Sequence, residues 1–308
     1  MVGRRAEFST QGRTLRRKKT HIAPLDILVM AFLLTLAGYI GYRIKVGLNY
    51  KWRWEVMPQY LLRQDAESQR WLPGLLMQGF FTTIRLSVWS TLLATFFGIV
   101  MGLCRLSQRL FERLLGRTYV ELIRNLPPLV LIFIFYYFVS DQIMPILGVE
   151  TFVRSRSEST QAVLTFCFAP PSRFTAFCSA LLTVALFEGA YITEIFRAGI
   201  QSIEKGQWEA SSALGFAWRQ QMRYIIWPQA LVRILPPLAG QFISTIKDSA
   251  IVSAISIPEL TFQGQEMVSA TYLTFEVWIT VTLLYLLLTL PCSLAVARLE
   301  KYLRRREA

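Results

Sequence analysis

The chain has 308 residues, 53% of them hydrophobic, with a formal net charge of +13 and a mean hydropathy of +0.39. Apolar runs of about 18 residues or more recur, each long enough to cross a hydrocarbon core of roughly 30 Å as a helix, so the composition excludes a soluble domain folded around one core. The basic excess is then read as the charge that sets membrane topology, not as a nucleic-acid surface.

Residues 1–24 form a basic arm with seven Lys and Arg and the single histidine, His21. Span one, about Leu25–Tyr42, is too long for a signal-peptide core and lacks a small-residue cleavage site after it, so an uncleaved N-terminal anchor helix is expected. The stretch 43–78 carries Trp52, Trp54 and Trp71 among mixed charges. Tryptophans at a membrane edge anchor at the headgroup level, which predicts an external interfacial helix and linker. Span two is about Gly79–Leu103 and span three about Thr118–Val139. An external stretch, 151–172, ends in Pro170-Pro171 and re-enters the apolar span four, about Phe174–Ile200. A polar loop, 201–223, precedes span five, about Leu231–Ile257. A short acidic external segment, 257–276, suited to contact with a partner, leads to span six, about Val277–Val296, and to a basic tail, 301–308. Each span must be a helix, because a lone strand leaves its backbone unsatisfied in lipid. The expected fold is therefore all-α, a polytopic bundle of about six transmembrane helices.

Twenty Lys and Arg fall in the arm, loop 104–117, segment 197–223 and the end 298–308, against nine in the alternate segments 43–73, 141–173 and 258–276. By the positive-inside rule both termini and loop 201–223 face the cytosol. The cysteines Cys104, Cys167, Cys178 and Cys292 have no metal-ligand spacing and read as packing residues. One histidine cannot build a catalytic dyad or a metal cluster, so neither a catalytic nor a metal site is expected.

Within the cytosolic loop, Gln207–Leu214 has the residues of a short amphipathic helix. Glu209, Ala210 and Ala213 are good helix formers, and the small run Ala210-Ser211-Ser212-Ala213 lets a partner approach the backbone closely. Gly215 is placed to stop the helix in a left-handed conformation, and Pro228 to break the next one. An ordinary helix–turn explains Gly215 but not the whole spacing, Glu209-Ala210-Ser211, three residues, Gly215, nine residues, Ile225, one residue, Trp227, Pro228. That spacing resembles the EAA loop of bacterial ABC importer permeases, departing from it at Ser211 (for Ala) and Trp227 (for Leu). The resemblance extends over about 79–300. Gly79-Phe80-Phe81-Thr82-Thr83-Ile84-Arg85-Leu86-Ser87 is similar to the opening of the polar amino-acid branch, the histidine, glutamine and glutamate type. Gly98-x-x-x-Gly102, Tyr119-x-Glu121-x-x-Arg124-x-x-Pro127 and Tyr191-x-x-Glu194-x-x-Arg197 follow the same branch. It implies a five-helix permease core to which span one is an addition. It further implies a loop docked on separate ATPase subunits, a second permease subunit of the same or a related kind, an extracytoplasmic solute-binding protein and a polar amino-acid cargo.

Ionisable residues inside spans are costly and mark a path or a partner. Glu188 and Tyr191 share a face of span four, while Lys247, Asp248 and Ser249 lie deep in span five. These five are the candidate substrate path, able to compensate the ammonium and carboxylate of an amino acid; equally, the charges can pair across helices. Glu121, Arg124, Glu194 and Arg197, nearer the cytosolic edge, can meet as Glu121–Arg124 and Glu194–Arg197 and are expected to form structural ion pairs or an inner gate. Pro127-Pro128 and Pro236-Pro237 are expected to interrupt helices near that edge. No G-x-x-x-x-G-K-[ST] stretch occurs, so ATP and Mg are expected on a partner ATPase and no cofactor on this chain. The alternative is a stand-alone ion-coupled secondary amino-acid transporter using Glu188 and Asp248; the inverted repeats common in such folds are not seen here.

Overall fold

A computed structural model describes residues 24–47, 50–65 and 69–307. The basic arm, His21 and the last tail residue lie outside the described residues. The chain forms two compact units, 1–52 and 53–308. In the first, α1 (Pro24–Gly47) opens with proline and has Asp26 in its first turn, both favourable at a helix N-terminus. Its apolar residues fall on all sides, as in a lipid-facing span.

The second unit begins with a 3₁₀ turn (Trp54–Val56) and α2 (Pro58–Leu61). Next come β1 (Leu62–Gln64) and β2 (Trp71–Pro73), an antiparallel ribbon pairing Leu62 with Pro73 and Gln64 with Trp71. The stretch expected as a helix and linker thus holds the short helix α2 and, beyond it, a two-stranded ribbon. This stretch is anchored: Met57 is buried with Leu76, Leu260 and Val277, and the Arg53 N–H donates to the buried Glu276 carboxylate at 2.8 Å.

Helix α3 (Leu75–Leu106) is followed by α4 (Leu110–Asn125), α5 (Pro128–Phe138), a π turn (Val139–Ile143) and the short helices α6 (Met144–Ile146), α7 (Val149–Arg154) and α8 (Glu158–Cys167). Then come α9 (Phe174–Gln201), α10 (Lys205–Ala213), α11 (Trp218–Gln221), a second π turn (Met222–Ile226), α12 (Trp227–Asp248), a 3₁₀ turn (Ser249–Ile255), α13 (Leu260–Thr271) and α14 (Thr274–Glu307).

Among the described residues five helical runs are long and apolar enough to cross a membrane: Pro24–Arg43, Leu75–Leu106, Pro128–Ile146, Pro171–Gln201 and Thr274–Leu303. Two expectations change. Span three does not start at Thr118. Pro127-Pro128 ends one helix and starts another, leaving 118–125 in the strongly amphipathic α4. The fifth predicted span is present as α12, a 22-residue helix, but is not among the five apolar runs. It carries Gln229, Arg233, Gln241, Lys247 and Asp248, which lower its hydropathy. It also runs through Pro236 and Pro237 instead of breaking there. Pro228 does not break a helix either; it stands in the first turn of α12, where its missing N–H costs least.

In lipid the drive to bury apolar surface between helices is weak, so close packing of small residues and hydrogen bonds hold the bundle. Helices α3 and α9 lie parallel: Ser90 Oγ donates to Leu181 O, and Gly98 faces Ile192 so closely that an added Cβ would stand 2.3 Å from the isoleucine methyl. Helix α12 runs antiparallel to α9, with Ile234 against Gly199 and Gln241 against Glu188. One apolar cluster joins Ala94, Ile192, Phe196, Ile200, Ile203, Ile226 and Ile234 at one end of the bundle. At the opposite end Glu259 caps α13, its carboxylate accepting from Thr261 N (2.9 Å), Phe262 N (2.8 Å) and Tyr285 OH (2.9 Å). Of the acidic residues of segment 257–276, Glu259 and Glu276 are fully buried and Glu266 is exposed.

Candidate functional site

A cavity of about 450 Å³ opens between the start of α5, the middle of α9 and the last turns of α12. Pro128, Phe187, Tyr191, Gln241, Ser244, Lys247, Asp248 and Ile251 line it. Helix α9 brings Phe187 and Tyr191 to one side by their i, i+4 spacing. The consecutive Lys247 and Asp248 close α12, both exposed and both at the cavity wall. A cation near a helix C-terminus is also favoured by the helix dipole. Glu188 lies behind the wall, fully buried, with Oε2 accepting from Gln241 Nε2 at 2.6 Å. The structure therefore brings four of the five predicted path residues together. The fifth, Ser249, is buried; its Oγ donates to Ile246 O at 2.8 Å and it does not line the cavity. Gln241 belongs to the site and was missed. It is an uncharged amide inside a helix expected to span the membrane, and no formal charge marks it in the sequence.

The other predicted cluster is only partly as expected. Glu194 pairs with Arg197 at 2.8 Å and also with Arg105, which reaches it from the end of α3. Glu121, however, pairs with Arg117 at 2.7 Å and not with Arg124. Arg124 turns instead toward α9, its guanidinium carbon 5.6 Å from the centre of the Tyr191 ring. That cation–π contact links the ion-pair cluster to the cavity wall. Arg105, Glu121, Arg124, Asn125 and Glu194 surround a smaller recess of about 290 Å³. Arg105 lies in the basic loop 104–117 of the sequence, and its partner lies 89 residues away.

The predicted loop helix is α10. Its end is a complete Schellman arrangement: Gly215 at φ +79°, Gly215 N–H to Ser212 O at 2.9 Å, and Phe216 N–H to Ser211 O at 3.2 Å. Glu209, Ala210, Ala213 and Leu214 are exposed, giving a small knob with an apolar tip. Ser211 is buried, its Oγ closing on Trp208 O at 2.9 Å. The knob is fixed from beneath, where Trp208 packs with Ile200, Ile203 and Met222, and Ile225 of the π turn joins the same cluster. Gln221 Nε2 donates to Phe216 O at 2.8 Å and to Ser212 Oγ at 3.0 Å. Gln229 Nε2, one residue beyond Pro228, donates to Gln207 Oε1 at 3.2 Å.

A helical membrane bundle with a cavity holding Lys247 and Asp248 between spans and a projecting helical knob fits a membrane transport subunit. The chain belongs to the family described as the binding-protein-dependent transport system inner membrane component, whose model matches residues 94–307. It is 33% identical over 232 residues to the probable glutamine ABC transporter permease protein GlnM of Bacillus subtilis, covering 75% of this chain and 94% of that one. It is 28% identical to the glutamate/aspartate import permease protein GltJ of Escherichia coli, covering 83% and 97%. A crystal structure of an amino acid ABC transporter with histidines superposes with a TM-score of 0.59 at 30% identity, covering 74% of this chain and 94% of that one. The chain is thus a permease subunit of an ABC importer, and nothing in the fold or in these relatives favours the ion-coupled alternative.

Proposed function

We propose that this subunit carries a polar amino acid through the cavity at Tyr191, Lys247 and Asp248, driven by separate ATPase subunits seated on α10. The observation that carries the reading is the cavity itself, where one cation and one carboxylate stand on adjacent residues beside an aromatic wall. A zwitterion offers a carboxylate to Lys247 and an ammonium to Asp248, with Gln241 and Ser244 available for side-chain polarity. The names of the relatives, which include glutamine and glutamate/aspartate permeases, support an amide or acidic cargo. Both termini and α10 face the cytosol in this reading, a second permease subunit completes the pathway, and a solute-binding protein delivers cargo on the other face. ATP and Mg bind the ATPase and not this chain.

The test is ATP-driven uptake of L-glutamine and L-glutamate by proteoliposomes holding the chain with its ATPase and binding protein. Lys247→Gln and Asp248→Asn are expected to lower uptake at least about tenfold, the worth of a charge-assisted hydrogen bond, while the ATPase still co-purifies. Glu209→Lys and Gly215→Trp are expected to abolish ATPase association in stably inserted protein. Wild-type uptake by the first pair and wild-type association by the second would overturn the reading.

A further inference from the structure

A second cavity lies apart from the one just described. At the end of the bundle formed by β2, the start of α3, the Phe168–Arg173 turn and the start of α13 lies a cavity of about 470 Å³. Its wall holds Arg85 and Arg173, with Gln78, Thr82 and Gln263 as neutral polar groups, and no Asp or Glu. Arg85 is the eleventh residue of α3 and stands ~15 Å along that helix from its start, inside an apolar span. Among the described residues no carboxylate pairs with it. Its one protein hydrogen bond is a long one, Nη1 to Phe168 O at 3.5 Å. Glu259, next to the wall residue Pro258, already accepts from Thr261, Phe262 and Tyr285. The wall is also rigid: Trp89 stacks on Phe168 with ring centres 4.7 Å apart and donates from Nε1 to Cys167 O at 2.9 Å. A half-buried guanidinium that spends one long hydrogen bond on Phe168, in a preformed cavity with no carboxylate on its wall, has donors to offer an anion.

We infer that this cavity is an anion site in which Arg85 makes a charge-assisted contact to an anionic oxygen group, with Arg173 at the rim drawing it in. Two sources present such a group, the carboxylate of a small solute and the phosphate of a phospholipid. The site is separate from the Lys247–Asp248 cavity, so the inference stands whatever cargo that cavity takes.

The experiment uses the full chain with its ATPase in nanodiscs. One arm measures equilibrium binding of L-glutamate, L-glutamine and 2-oxoglutarate in neutral phosphatidylcholine. The other measures, by native mass spectrometry, retention of phosphatidylglycerol over phosphatidylcholine. Wild type is compared with Arg85→Gln, Arg85→Lys and Arg173→Gln, each first checked for a monodisperse elution profile. Solute binding weakened ~10- to 100-fold by Arg85→Gln and largely kept by Arg85→Lys assigns a solute carboxylate. Selective phosphatidylglycerol retention lost in Arg85→Gln and kept in Arg85→Lys assigns a lipid phosphate. Should Arg85→Gln fail to fold, Arg173→Gln is expected to weaken the same arm by a smaller factor. Binding in neither arm, or binding indifferent to both arginines, overturns the inference.

Discussion

Replacing Gly199 by alanine puts one methyl where α9 and α12 touch. The added Cβ would stand 2.3 Å from Ile234 Cγ1 and 3.0 Å from its Cδ1, but 3.6 Å from its Cβ. Ile234 is fully buried, so the clash cannot be relieved by swinging its side chain into solvent. Overpacking of this kind costs about 1–3 kcal/mol. Truncating Ile234 to alanine alone costs about 2–5 kcal/mol as a cavity. In the double variant the new Cβ meets only the Ile234 Cβ position at an ordinary contact distance and fills part of the space. The double-mutant cycle should therefore show a favourable coupling of about 1–3 kcal/mol. The assay is thermal unfolding of the purified chain in one detergent, followed by tryptophan fluorescence. Gly199→Ala is expected to lower Tm by a few degrees, with the loss in the double variant smaller than the sum of the two single losses. A Gly199→Ala protein as stable as wild type, or strictly additive losses, would refute the close approach.

Glu194 holds two arginines, Arg105 and Arg197, in partly buried positions, with the Glu194 side chain 19% exposed. Glu194→Gln strands both cations and should destabilise by about 1–3 kcal/mol with little salt dependence; a loss erased by added salt would mean that the cluster is a solvated surface lattice. Glu259 is held off water by the helices around it, and burial, opposed by its hydrogen bonds, pushes its carboxyl up to about 7 from 4.5. The folded chain then keeps a proton that the unfolded chain has released, so this contribution to stability is full below pH 4.5 and is lost as pH rises to about 7. The loss is on the order of 3 kcal/mol. Melting curves from pH 4.5 to 8 should show Tm falling through that window in wild type, and a flatter profile in Glu259→Gln; a wild-type Tm rising with pH would contradict it.

The long apolar helices were legible because a span must be apolar over its whole length: α9 (Phe174–Gln201) lies within a residue of its predicted limits. Local chemistry carried equally well, since Gly215 follows a run of helix formers and takes the left-handed conformation. What failed was judgement of breaks. Pro127-Pro128 changes the direction of the chain, whereas Pro236-Pro237 lies within a continuous helix. Both are the same dipeptide, and only neighbouring helices decide whether the freed backbone groups find partners. Partner choice was likewise hidden. Helical spacing permits Glu121 to meet either Arg117 or Arg124, and only the approach of Tyr191 draws Arg124 away. The ribbon at Leu62–Gln64 and Trp71–Pro73 was invisible for a different reason: three-residue strands carry too little pattern to register.

Along α12 the Gly199–Ile234 contact lies seven residues from Gln241, and therefore ~10 Å from the Glu188–Gln241 hydrogen bond. Because the interlock at Gly199 forbids sliding, it acts as a fulcrum, and α10 is clamped to the short arm on its far side. A tilt of α12 by about 10° around this fulcrum sweeps Gln241 through about 2 Å, given the rise of ~1.5 Å per residue. Added to the 2.6 Å separation, that stroke carries the pair beyond hydrogen-bonding distance. A small rocking stroke at the knob is enough to connect or disconnect the amide and the buried carboxylate, and so to change the polarity of the cavity wall without unfolding or reorienting a whole span.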